Sequence, residues 1–144
     1  MRLPIALALA TSVLAACTAA SPAPKGWQAV PGAANTWTSG SGANHQEYSY
    51  DQSAFGGSLK DLASRVTIDA LLRYRGARLL GSVPFGPCQG AAGVATFRLA
   101  GGDTLQRGFA VRNDRAVQTR YLRPTGAPVD PNVDQAMQAV LCAL

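Results

Sequence analysis

The chain has 144 residues, 47% hydrophobic and 15% charged, with 13 lysines and arginines against 8 acids, three cysteines and one histidine. That length and apolar content suffice to bury one core in one domain, and they exclude a disordered chain. A lone histidine leaves little for histidine-based catalysis or a multi-histidine metal site.

The start of the chain reads as a leader. "MR" precedes residues 3–16, which hold no charged residue. This is a short basic segment and an apolar one of signal-peptide length, below the roughly 20 residues a membrane-spanning helix needs. The next residues, Leu14-Ala15-Ala16-Cys17, resemble the lipobox of bacterial lipoproteins. The resemblance implies cleavage after Ala16 and acylation of Cys17, so that the protein is anchored to a membrane without spanning it. Plain secretion after Ala16 or Ala20 is the alternative. Thr18 stands where lipoproteins kept at the inner membrane of Gram-negative cells often carry Asp, which implies the outer membrane, facing the periplasm. Later apolar stretches, 66–72 and 133–144, are interrupted by Asp69, Gln135 and Gln138 and are too short to span. The expected organisation is a cleaved signal peptide over 1–16, a lipidated cysteine and flexible tether over 17–26, and one domain over 27–144.

With Cys17 lipidated, Cys88 and Cys142 remain, an even number in an oxidising compartment, and a disulfide between them is expected. Two free thiols or a metal pair are the rivals. Along the domain, "GWQAV", "TWTSG" and "HQEYSYD" read as strands. "FGGSLKDLASRVTIDALLRYRG" reads as a helix, with a capping box at Ser58 and Asp61, an apolar stripe of Leu59, Leu62, Val66 and Ala70, and Gly76 at the end. Ile68 and Leu72 fall on its other side, so the helix is expected either to be covered on both faces or to break near Thr67. "ARLLGSVPF" reads as a strand ending at Pro84. Residues 93–124 split into three alternating strands at Gly101-Gly102-Asp103 and Asn113-Asp114, a meander with one face on a core. Asp130 and Pro131 open a last helix, with Val133, Ala136, Met137, Val140 and Leu144 on one side. Cys142 lies off that stripe, so the pairing needs either the Cys88 loop to cross the helix or the last turn to unwind. The fold class is therefore α+β, a mainly antiparallel sheet with a C-terminal three-strand meander packed against two helices, in an α/β/α sandwich-like arrangement.

In that element order, with "GW" at its start, "GGSLKDLASRV" as its first helix and "VDPNVDQAMQAVLCAL" as its last, the domain resembles the Mog1/PsbP-like group of small α/β/α domains. The resemblance implies binding of partner proteins or help in assembling larger complexes. It implies no common reaction and transfers no site residue.

Motifs for chemistry are sparse. "GGSLK" lacks the second glycine of a nucleophile elbow. "DPNVD" starts like a calcium loop but continues with Gln135 where glycine is needed and Leu141 where a bidentate glutamate is needed. No metal ligand set, cofactor or phosphate-loop motif is expected, and no catalytic residue is assigned. The one enzymatic alternative is a small extracytoplasmic hydrolase using His45 with Asp51 or Glu47. The arginines are the remaining feature: ten between positions 65 and 123 against Asp69, Asp103 and Asp114. Taking Phe97, Phe109, Val111, Val117, Thr119 and Tyr121 as inward-facing, alternation sends Arg98, Arg112 and Arg120 out from one sheet surface. Arg107 shares the buried parity and is expected at its strand's end. Such a face suits anionic envelope lipid or glycan; the plainer reading is a solvated surface. The expected partners are the membrane, through the lipid, and an envelope protein or an anionic lipid or glycan; nucleic acid is not among them.

Overall fold

The computed structural model describes residues 21–143; the leader, the lipobox with Cys17, and Leu144 lie outside the described residues. Helix α1, Leu59–Arg73, starts where Ser58 is extended. The Ser58 hydroxyl accepts from the Asp61 N–H at 3.1 Å, and the Asp61 carboxylate accepts from the Ser58 N–H at 2.9 Å. Two donors that a helix start leaves unpaired are thereby satisfied. The helix then runs unbroken through Thr67, whose hydroxyl donates to the Ala63 carbonyl at 2.9 Å. That internal bond lets a β-branched residue sit mid-helix without a break. Helix α2, Pro131–Ala143, begins with the Asp130 carboxylate accepting from the Asn132 N–H at 2.8 Å.

Seven strands form one antiparallel sheet: β1 Gln28–Ala29, β2 Thr36–Ser39, β3 Gln46–Ala54, β4 Arg78–Pro84, β5 Ala92–Arg98, β6 Thr104–Arg112 and β7 Arg115–Arg123. Their order is β1-β2-β3-β7-β6-β5-β4. The β6–β7 turn places Asn113 and Asp114 at φ of 50° and 57°, the left-handed pair that a tight hairpin demands. The β3–β7 pairing joins the N-terminal hairpins to the C-terminal meander.

The helices lie on opposite faces of the sheet. Leu62, Val66 and Ala70 of α1 pack with Phe55, Ala95, Phe97, Leu105, Phe109 and Ala116. Val133, Ala136, Met137, Val140 and Leu141 of α2 pack with Tyr48, Ala92, Val94, Ala110, Val117 and Tyr121. Neighbouring residues such as Val94 and Ala95, or Ala116 and Val117, are thus buried in opposite directions. This corrects the expectation of a meander with one buried face: the alternation separates two cores rather than core from solvent. The α1 expectation is also corrected. That helix is neither broken nor covered on its second face, where Ile68, Leu71 and Leu72 stay exposed.

Close approach fixes the α2 side. A Cβ on Gly108 would lie 2.3 Å from Thr119 Oγ1 and 2.7 Å from Leu141 Cδ1, so only glycine lets the helix sit this near the strand. Arg112 donates to the carbonyls of Val140, at 2.9 Å, and Leu141, supplying donors to the helix's C-terminal end. Cys88 and Cys142 are joined, Cα to Cα 5.1 Å. The helix stays regular through Cys142, and it is the 3₁₀ turn Gly86–Cys88 that comes to its last turn. At the start of the domain, Trp27 Nε1 donates to Asp130 Oδ2 at 3.0 Å, and its ring meets Tyr121 edge-on. Residues 21 and 23–25 border a groove with Asn132, Gln135 and Ala136 of α2.

Candidate functional site

The structure separates the three arginines expected on one surface. Alternation from Val94 and Ala110 puts Arg98 and Arg112 on the α2 side, where Arg98 donates to the Gly102 carbonyl at 3.1 Å and Arg112 serves the α2 end. Arg120 is on the α1 side, beside Tyr74. The expectation failed because Phe97, Phe109 and Val111 point to α1 while Val117, Thr119 and Tyr121 point to α2. Alternation within single strands does not tell these two buried sets apart.

What Arg120 joins instead is a polar cleft of about 420 Å³ on the α1 face. Its floor is set by the β6–β7 register, in which Arg107 and Arg120 are direct partners, with Ser49 opposite Arg120 on β3. Adjacent guanidinium groups on one face repel, and each is given an acid. Arg107 donates to Asp69 Oδ2 at 3.0 Å and to Gln118 Oε1 at 2.9 Å. Arg120 donates to Glu47 Oε1 at 2.8 Å and to the Tyr74 hydroxyl at 2.6 Å, and its guanidinium lies 5.5 Å from the Tyr74 ring centre. The helix supplies the wall: Asp69 and Arg73 are one turn apart, joined at 2.9 Å, and Tyr74 follows. Thr36 and Asp51 also line it.

Arg107 is only 8% exposed, and its Nε is buried with no hydrogen-bond partner among the described residues. This corrects the placement of Arg107 at a strand end: it is the fourth residue of β6, beneath α1. A buried guanidinium is costly unless it is paired, and Asp69 meets that need. Burial opposes ionisation of Asp69, but hydrogen bonds from Arg73 and Arg107, with their charges, outweigh it and hold the pKa below the ordinary value.

The His45 arrangement does not assemble. His45 is exposed, its backbone N–H bound to the Gly42 carbonyl. Glu47 is the partner of Arg120, and Asp51 lies at the cleft; among the described residues neither is bonded to the His45 ring. No group of three or more potential metal ligands occurs among the described residues. Sequence reasoning missed Arg73, Asp69 and Tyr74 as cleft residues. Only the Asp69–Arg73 spacing, one helical turn, carried a signal.

The second distinctive surface is apolar. Ile68, Leu71 and Leu72 of α1 and Leu79, Leu80 and Val83 of β4 are 42–80% exposed. Strand β4 is the last of the sheet, paired only with β5 among the described residues. Between the two elements runs a groove lined by Leu59, Ala63, Val83, Pro84 and Phe109, among others.

No protein-family model matches the chain, and no curated protein matches it. Among solved structures it is similar to a Pseudomonas aeruginosa protein of unknown function, suggested to be a regulator, with 19% identity over 71% of this chain and 74% of that one and a TM-score of 0.52. At that identity the likeness concerns the fold alone.

Proposed function

We propose that this protein is a membrane-anchored envelope lipoprotein acting as a non-enzymatic binding or assembly module, which docks a partner protein on the surface shared by α1 and β4. One observation carries the reading: large apolar side chains stand exposed on the outer face of α1, at Ile68, Leu71 and Leu72, and on the α1 side of β4, at Leu79, and the outer edge of β4 is unpaired among the described residues. Exposed apolar side chains beside unpaired strand backbone favour protein docking. Supporting it are the leader, the lipobox ending at Cys17, a cysteine pair suited to an oxidising compartment, and the resemblance in element order to the Mog1/PsbP-like group, whose members bind proteins. The outer membrane, facing the periplasm, is the proposed location. No observation favours the hydrolase alternative with His45.

The test places a photo-crosslinking residue at Leu72 or Leu79, with Gln135 on α2 as control, in the full-length protein in intact envelopes. A discrete protein adduct from the first two positions and not from the third is expected. Equal adducts at all three, or none, would remove the docking surface. Cys17→Ser should move the protein from the membrane to the soluble fraction; wild-type protein already soluble, without lipid mass on residue 17, would refute the anchor.

A further inference from the structure

We infer that the cleft on the α1 face is a binding site for a small molecule that carries an oxyanion, phosphate or carboxylate, next to a cationic donor. The argument is a count of donors and acceptors. Arg73, Arg107 and Arg120 each bring five N–H donors and no acceptor. Of Arg107's five, two are used, on Asp69 and Gln118, and the buried Nε–H is one of the three left over. Arg73 uses its Nε–H on Asp69, and Arg120 uses two donors, on Tyr74 and Glu47. Five acceptors answer them, Asp69 Oδ1 to Arg73, Asp69 Oδ2 and Gln118 Oε1 to Arg107, and Glu47 Oε1 and the Tyr74 hydroxyl to Arg120, which leaves the donors of the three arginines in excess. The cleft is therefore rich in unanswered N–H groups, and it holds them in the planar forks that suit phosphate and carboxylate oxygens.

The arginines are also held in place before any ligand arrives. Tyr74 and Glu47 fix Arg120, while Asp69 and Gln118 fix Arg107, so little side-chain order has to be created on binding. Asp51 adds the second half of the specificity. It lines the cleft, its charge acts on Arg73 without a direct ion pair, and it has no side-chain hydrogen bond among the described residues, so its carboxylate keeps acceptor capacity for a cationic donor. Three guanidinium groups face three carboxylates, Asp51, Asp69 and Glu47. A site so balanced selects by the placement of charges rather than by net charge, and a ligand with both signs fits it better than a bare anion. The volume, about 420 Å³, suits a small molecule or a lipid headgroup.

The experiment titrates full-length protein in non-ionic detergent, by calorimetry at low salt, with inorganic phosphate, phosphoethanolamine and β-alanine. Phosphatidylethanolamine in mixed micelles of the same detergent forms a fourth arm, which separates a headgroup from a free ligand. Saturable binding of phosphoethanolamine or β-alanine is expected, tighter than that of inorganic phosphate. Arg73→Gln should weaken it about tenfold, the size of one lost charge-assisted contact. Asp51→Asn should erase the advantage over inorganic phosphate, and Arg115→Gln, at the far end of β7, should change nothing. Arg73 is exposed, with 72% of its side chain accessible, so its variant keeps the fold, and an unchanged melting temperature verifies this. No saturable binding of any probe, or binding indifferent to Arg73→Gln, would overturn the inference.

Discussion

Removing the Cys88–Cys142 bridge offers a prediction whose size follows from chain topology. The two residues are 54 positions apart, and in the loop-entropy model a closed loop of that length restricts the unfolded chain by about 14 cal/mol/K, or ~4 kcal/mol at 25 °C. An unfolding entropy of about 2.1 cal/mol/K per residue over a domain of about 120 residues converts this to a fall in Tm of roughly 15 °C. The bridge also ties the turn Gly86–Cys88 to the last turn of α2. The variant to make is Cys88→Ala with Cys142→Ala, since a single substitution would leave a free thiol. Thermal unfolding followed by circular dichroism, for the variant and for wild type with and without reductant, gives the comparison. Reduced wild type should match the variant, both well below oxidised wild type. A difference of less than about 3 °C would refute the reasoning, because it would mean that the unfolded chain is not the state the bridge restrains.

Other substitutions test the packing and the cleft. Gly108→Ala should cost about 1–3 kcal/mol in chemical denaturation, since its methyl group would overlap Thr119 and Leu141; a cost under about 0.5 kcal/mol would show that α2 shifts freely. Leu62→Ala, at a fully buried position, should cost about 2–5 kcal/mol, whereas Leu72→Ala on the same helix, 80% exposed, should stay within about 0.5 kcal/mol; similar costs would contradict the uncovered outer face of α1. Asp69 has a folded-state pKa below its ordinary 3.8, so its stabilisation is present above that value and lost as pH falls through the lower folded one. Asp69→Asn should therefore be less stable than wild type at neutral pH, with the two stability curves converging below pH 3.8, and parallel curves would exclude the ion pair as the cause.

Local signals in the sequence carried far, and long-range ones did not. The capping box at Ser58 and Asp61, the turn at Asn113-Asp114 and the opening of α2 at Asp130-Pro131 each depend on a few adjacent residues, and the structure realises all three. The α+β architecture followed from them. Strand alternation was read correctly within each strand but could not be aligned between strands. When both faces are buried, apolar residues of either parity look inward, and Val117 cannot be told from Phe109 without the register. That ambiguity scattered the three expected arginines and hid the cleft. Arg107 was hidden by a further effect: an arginine of buried parity reads as a strand end unless its acid is known, and Asp69 is 38 residues away. The pairing of β3 with β7, which brings Glu47 to Arg120 across 73 positions, has no local mark at all.

On the proposed lipid anchor, the clasp of Trp27 on Asp130 bears on how far the domain would stand from a bilayer. Residues 21 and 23–25 border α2, and a lipid on Cys17 would be four residue steps from Ser21, a leash of at most about 14 Å of chain. A reach that short would keep the α2 side near the headgroups. The opposite side, bearing α1 and the cleft, would then look away from the membrane. Lengthening the leash by inserted residues would leave every internal contact intact and alter only this orientation.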